Sequence, residues 1–213
     1  MTTTQTALRI SLELDHPGAC FEVSAPLLEQ LQHGPYERCS VQPIPGSIQE
    51  WLATHRTARK RATRSGRRGY IVAEIRREEH EDEIYAINRS ARIRQGKPMS
   101  DAYTRRQTFA PLPAFECPVH AIRTHGIFTL ARELVGYLTI YRCGQLALVS
   151  QILGHDDYLR DEIMYQLFAA GLATEIAAGP GVVVYNRHDS GTDGLRFYKE
   201  RLGFEEMEVE WSR

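Results

Sequence analysis

The sequence predicts a mixed α/β protein, a sheet with helices on its faces, on three observations. From Val119 onward the apolar pattern reads strand, strand, strand, helix, strand, helix, strand. Residues 133–142 are apolar on both parities, with Leu134, Gly136, Leu138 and Ile140 on one and Val135, Tyr137, Thr139 and Tyr141 on the other, which marks an interior strand. The positions Ile163, Met164, Leu167, Phe168, Gly171, Leu172 and Ile176 then recur at helical spacing. Strands and helices in this alternation bury their apolar faces against one another as layers.

Residues 8–14 alternate, with Leu8, Ile10, Leu12 and Leu14 on one side of a half-buried strand, and Phe21-Glu22-Val23 reads as a second short strand. Pro43, Pro45 and Gly46 break regular structure. Ser47 caps a helix, with Glu50 three residues on completing a capping box, and that helix runs through Trp51 and Leu52 into a basic stretch ended by Gly66 and Gly69. Residues 70–75 read as a strand. Residues 78–94 read as a helix with acids at its start and arginines at its end, complementing the helix dipole, and Gly96 and Pro98 stop it. Strands follow over residues 119–129, 133–142 and 146–153, with a hairpin turn at Cys143-Gly144-Gln145. A helix spans residues 158–178 and ends at Gly179-Pro180-Gly181. Val182-Val183-Val184-Tyr185 is a buried strand. Thr192 caps a short helix through Leu202, where Gly203 supplies the left-handed C′ residue. Residues 206–211 alternate like an edge strand, which suits pairing with a second copy of the chain.

The chain has 213 residues, 42% hydrophobic and 25% charged, with a formal net charge of −1, so it has the apolar content for a core and no global attraction to nucleic acid. Charge is instead local. Arg56, Arg59, Lys60, Arg61, Arg64, Arg67 and Arg68 occur with no acid among them, and the end of the chain is acidic. The basic run is either a solvated helix face or a patch for RNA phosphates, and it lacks the interleaved aromatics of a base-stacking surface. Cys20, Cys39, Cys117 and Cys143 are too dispersed for a metal or redox motif, which points to inert thiols in a reducing compartment. The N-terminus lacks the basic and apolar regions of a secretory leader, and no apolar run spans a bilayer, so a cytoplasmic protein without membrane contact is expected.

Two motifs carry a resemblance. The run Gly154-His155-Asp156-Asp157-Tyr158-Leu159-Arg160-Asp161-Glu162-Ile163-Met164 follows a strand and opens a helix. Later come Asn186 and then Leu195-Arg196-Phe197-Tyr198-Lys199-Glu200-Arg201-Leu202-Gly203-Phe204. Together they resemble the acyl-CoA-binding half of the GNAT (GCN5-related N-acetyltransferase) superfamily, over about residues 119–211. The resemblance implies a mixed, mostly antiparallel sheet flanked by helices in residues 111–213. Residues 1–110 then form an extra α+β segment, a possible acceptor-side lobe. In the family the first motif is glycine-rich, and its backbone N–H groups at a helix start hold the donor's diphosphate. Here Arg160, Glu162 and Met164 stand at the glycine positions, so the loop is degenerate.

By resemblance, Ile152, Leu153, Gly154, Arg160, Asp161, Glu162, Ile163 and Asn186 are the candidate acetyl-CoA-binding residues, and a backbone N–H of residues 150–153 would stabilise the thioester oxygen. A carboxylate such as Glu162 within ~5 Å of a phosphate costs about 1–3 kcal/mol, which Arg160 can offset. Glu162 is equally an acid that complements the helix dipole. Tyr198 is either the general acid toward the leaving thiolate or a packed helical tyrosine. His155 is either the general base, with a suitable ordinary pKa, or a loop cap. Asp156 and Asp157 read as helix caps, and His120, His125 and Glu133 read as structural or solvated groups near the acceptor side. The implied activity is acyl transfer from acetyl-CoA to a small-molecule or protein primary amine. The alternatives are an aminoacyl-tRNA-dependent transferase of the same fold and a non-catalytic binding protein.

Overall fold

The computed structural model describes residues 7–13, 38–94, 96–111, 117, 119–188 and 191–212; the strand expected at Phe21-Glu22-Val23, with Leu14, Cys20 and Gln95, lies outside them. Its strands are β1 (Leu8–Ser11), β2 (Arg38–Pro43), β3 (Ile71–Glu74), β4 (Ile93–Arg94), β5 (Lys97–Pro98), β6 (His120–Phe128), β7 (Leu134–Cys143), β8 (Leu146–Gly154), β9 (Val182–Arg187) and β10 (Glu205–Ser212). Its helices are α1 (Ile48–Thr54), α2 (Arg56–Arg67), α3 (Glu81–Arg89), α4 (Asp101–Thr104), α5 (Ile163–Ala178) and α6 (Asp193–Leu202). Eight strands form one sheet in the order β1-β10-β2-β9-β8-β7-β6-β3, while β4 and β5 make a separate ribbon.

The sheet is antiparallel from β3 through β8, and the helical crossover α5 brings β9 back parallel to β8. β2 is wedged between β9 and β10 and runs antiparallel to both, so strands from the first part of the chain complete the sheet built by the second. β7 is the interior strand its two apolar parities require. Val135, Leu138 and Ile140 join the cluster that includes Leu167, Phe168 and Leu172 of α5. Tyr137 joins Ile84 and Ile87 of α3 in another. α5 is apolar all round because the sheet covers one side and α1 and α2 the other. Gly171 permits the approach to the sheet, since a Cβ there would lie 2.6 Å from Leu138 Cδ2.

Several expected boundaries move, each for a backbone reason. The helix expected from residue 47 into the basic run breaks at His55 (φ −97°, ψ 66°), whose ring stacks on Trp51 with centroids 5.2 Å apart. Ser47 does cap α1, accepting from Glu50 N–H at 3.1 Å, but the Glu50 carboxylate accepts from Gly46 N–H, not from Ser47. The helix expected over residues 78–94 is a 3-10 turn (Arg77–Glu79) followed by the shorter α3, interrupted at His80 (φ −130°, ψ 26°). The helix expected from residue 158 starts at Ile163, because Glu162 is left-handed (φ 64°, ψ 23°) and residues Asp156–Asp161 form a 3-10 turn. The C-terminal strand is no edge: β1 pairs with one part of β10 and β2 with the other, and the sheet edges are β1 and β3. Among the described residues, no helix is long and apolar enough to cross a membrane.

One buried group ties stability to pH. His125 on β6 is buried, its Nε2 has no hydrogen-bond partner among the described residues, and burial lowers its pKa, with Glu74 opposing. Its folded pKa lies below the unfolded value of about 6.5, so the unfolded chain binds the proton first. The stabilisation from a neutral His125 is therefore present above pH ~6.5 and is lost as pH falls toward the depressed folded value. His125→Leu should flatten the melting temperature against pH below ~6.5; an unchanged acid limb in thermal scans would refute this assignment.

Candidate active site between β8 and β9

β8 pairs with β7 along its length, but the register slips at Ser150, with Thr139 opposite Gln151 and Ile140 opposite Val149. Such a bulge sharpens the local twist of its strand. On its other side β8 pairs with β9 only at Leu146, Ala147 and Leu148, opposite Val182, Val183 and Val184. Beyond these the strands part, and β9 continues beside β2 until Cys39 faces Arg187. A V-shaped gap therefore opens beside Gln151, Ile152, Leu153 and Gly154, with Asn186 toward the end of the facing strand. Asn186 is left-handed (φ 58°), and its side-chain oxygen accepts from Arg187 N–H at 2.7 Å. Backbone N–H groups of β8 within the gap are released from the β9 ladder, as an oxyanion donor requires.

The start of α5 stands at the mouth of this gap. Gly154 is buried under side chains of the following loop: a Cβ there would lie 2.7 Å from Met164 Sδ, 2.9 Å from Leu159 Cδ2 and 3.2 Å from Ile163 Cδ1. Met164 thus packs inward, as its helical spacing implies. Tyr198 reaches from α6 to the first turn of α5, where its hydroxyl donates to the Met164 carbonyl at 3.0 Å and its ring meets Tyr165 edge-on at 4.9 Å. Burial raises its pKa well above the ordinary value. Tyr198 therefore keeps its proton and holds α6 against α5. Protonating a leaving group would require it to release Met164.

Glu162 occupies one of the family's glycine positions and retains the left-handed backbone that glycine favours. Its carboxylate turns toward α2, 3.3 Å from Arg61 Nη1 and 3.0 Å from Arg64 Nη1. Asp161 pairs with Arg68 and accepts from the Tyr70 hydroxyl at 2.7 Å. Burial, and then that bond to Asp161, pushes the Tyr70 pKa up to about 12. Arg160 is exposed, and Ile163 is buried under the loop. The residues present fit a diphosphate poorly. Two carboxylates lie at the helix start, and the nearby arginines already hold them.

The remaining candidates line the outer side of the loop. His155 donates its backbone N–H to Val135 O at 2.8 Å, and its ring meets Tyr158 edge-on at 5.6 Å. Its Nδ1 lies 3.7 Å from the Asp157 carboxylate, buried and without a hydrogen bond among the described residues. Asp156 and Asp157 make no side-chain cap; the Asp156 N–H instead donates to Ser90 Oγ at 2.9 Å. Glu133 accepts from Tyr158 at 3.0 Å, a bond that raises the tyrosine's pKa. His120 lies toward the other end of the sheet, opposite Cys143, beside Cys117 Sγ at 3.0 Å and Leu12 O at 3.1 Å. The structure thus gathers Ile152, Leu153, Gly154, Asp161, Glu162, Ile163 and Tyr198 around the gap and the α5 start, and leaves His155 on the outer side of the loop. Arg61, Arg64, Arg68 and Tyr70 join them unannounced. The spacing of the arginines puts them on one helix face, but nothing local in sequence names acids nearly a hundred residues away as their partners.

No protein-family model matches the sequence, and no curated protein matches it either. Solved structures do. The chain is similar to FemX, with 9% identity and a TM-score of 0.59, over 81% of this chain and 60% of that one. It is similar to the C-terminal domain of a putative lysylphosphatidylglycerol synthetase from Agrobacterium fabrum, with 12% identity and a TM-score of 0.53, over 80% and 57%. The L-PGS structure from Bacillus licheniformis gives 13% identity and a TM-score of 0.52, over 80% and 57%. The chain thus spans at most about three-fifths of each of these structures, 57% to 60%. The fold is the GNAT fold, a mixed and mostly antiparallel sheet flanked by helices.

Proposed function

We propose that this chain is an acyltransferase of the GNAT fold whose donor is an aminoacyl-tRNA, and that the acyl group passes to an acceptor amine in the gap between β8 and β9. The carrying observation is the pair of carboxylates, Asp161 and Glu162, at the helix start where a coenzyme diphosphate would lie in this fold. A donor esterified to RNA has no diphosphate to seat at this helix start, so the loss of a glycine-rich cradle there does not disqualify it. One similar structure, the C-terminal domain of a putative lysylphosphatidylglycerol synthetase, takes its name from a product that joins a lysyl group to phosphatidylglycerol, which is in keeping with an aminoacyl donor.

In this reading the ester carbonyl enters the gap, and a β8 backbone N–H beyond the bulge at Ser150 binds the developing oxyanion. The nitrogen bonds to the carbonyl carbon, the ester C–O bond breaks, and the proton lost by the attacking amine passes to the departing tRNA hydroxyl. Tyr198 positions the α5 start from behind.

Acetyl-CoA as the donor is the second reading, favoured by the parted strands with Asn186 and Tyr198 beside the gap. Thermal unfolding separates the two. A ligand at a hundred times its Kd adds ~2.7 kcal/mol, or roughly 5–11 °C for a domain of this size. We expect no shift with acetyl-CoA and transfer of a labelled aminoacyl group from charged tRNA to an added amine panel. A coenzyme shift of that size, or stable charged tRNA at all enzyme concentrations, would sink the tRNA reading.

A further inference from the structure

We infer that Arg61, Arg64 and Arg68 form a binding site for the backbone phosphates of an RNA, and that Asp161 and Glu162 fill this site in the unliganded protein. The inference rests on the reading of the donor as an aminoacyl-tRNA. Arg61 and Arg64 lie three residues apart on α2, and Arg68, which caps its C-terminus, follows four residues later on the same side. A single carboxylate, Glu162, is shared by Arg61 and Arg64, an arrangement a phosphate can take over with the same guanidinium groups. The Asp161 carboxylate does the same for Arg68. The acids lie beneath and the cations above: side-chain exposure is 12% for Glu162 and 27% for Asp161, against 33%, 49% and 44% for Arg61, Arg64 and Arg68. The guanidinium groups are thus the solvent-facing side of each pair, where a polyanion can reach them.

The surroundings favour a phosphate backbone over other anionic surfaces. Arg56, Arg59, Lys60 and Arg67 are exposed along the same helix, which carries no acid. Its remaining residues are Thr57, Ala58, Ala62, Thr63, Ser65 and Gly66. There is no large apolar side chain to enter a lipid layer and no aromatic to stack on a base, which leaves phosphate contact without sequence reading. Glu162 also holds a left-handed backbone that glycine would take more easily, so its carboxylate is kept at a conformational cost. When phosphates take the arginines, the 3-10 turn and the α5 start lose their arginine pairs and keep the bonds to Tyr70 and Tyr198.

The test measures binding of uncharged tRNA by fluorescence anisotropy between about 50 and 300 mM salt, since log K falls by roughly 0.7–0.9 per decade of salt for each phosphate contact. The variant Asp161→Asn/Glu162→Gln should bind at least tenfold tighter at low salt, with a slope steeper by about one to two. Tighter binding is a gain that a misfolded protein would not show. Arg61→Lys/Arg64→Lys/Arg68→Lys should keep the slope while weakening affinity, because lysine keeps the charge and loses the two-pronged contact. Equal affinity and slope for the wild type and the acid-neutralised variant would overturn the inference. So would inorganic pyrophosphate competing as tightly as tRNA, which assigns the arginines to a small diphosphate. Tighter tRNA binding without aminoacyl transfer would leave the phosphate site standing and defeat only the donor reading.

Discussion

Trp51→Ala is expected to lose about 3–5 kcal/mol of stability, a fall in melting temperature of roughly 6–20 °C for a domain of this size. Trp51 is 1% exposed and belongs to the main core cluster with Phe168 of α5 and Leu202 of α6. Its ring lies 5.2 Å from His55 and 6.0 Å from Phe168. Its Nε1–H donates to Leu202 O at 3.1 Å, and Gln42 Nε2 donates to the same carbonyl at 2.9 Å. One residue therefore fills a core position and satisfies a carbonyl at the end of α6. Trp51→Phe keeps most of the packing and loses the donor, and should cost about 1–2 kcal/mol. Because α1 leads directly into α2, the alanine variant should also loosen the arginine contacts to Asp161 and Glu162. Calorimetry on both variants checks the ranking; a loss under about 1 kcal/mol for alanine would mean that α1 does not dock as described.

Gly181→Ala should cost about 2–4 kcal/mol and, unlike the tryptophan change, act at the start of the short paired segment from which the gap opens. Gly181 has φ 154°, and a Cβ there would sit 2.3 Å from Gln145 O. The backbone has no slack to absorb this. Gln145 O accepts from Val182 N–H at 2.8 Å, and Gly181 O accepts from Ile44 N–H at 2.9 Å. These bonds pin the start of β9 between β8 and β2, next to Leu146–Val182, the first of the three pairs beyond which the strands diverge. Forcing that junction apart changes how the gap opens, so transfer activity should fall further than the lost stability explains. Amide hydrogen exchange would show faster opening at Val182 and Val183. Unchanged exchange there, with a normal melting temperature, would contradict the geometry.

The candidate site was legible in part, and the limit lies between local and distant effects. Gly203 could be placed after α6 because a helix end leaves few residues able to turn left-handed, and it does so at φ 93°. The crowding around it could not be foreseen: a Cβ there would lie 2.1 Å from His55 Nε2. Glu162 was recognisable as an acid on a glycine position, while its left-handed backbone and its grip on two arginines come from a helix far away in the chain. The Tyr198 ring could be assigned to the site, but its bond to the Met164 carbonyl could not.

Periodicity alone determined that this chain makes β6, β7, β8, α5, β9, α6 and β10 in that order, because alternation of side chains along a strand and their recurrence on a helix are local consequences of backbone geometry. Only the folded chain decided that β2 enters between β9 and β10, that β1 covers β10, and that the acids of the α5 start face α2. Strand neighbours and ion pairs of that kind join residues up to about two hundred positions apart, as when the Ser212 hydroxyl donates to Ile10 O across 202 residues. They are selected by which arrangement buries the most apolar surface while satisfying every backbone group, a choice made by the whole molecule at once.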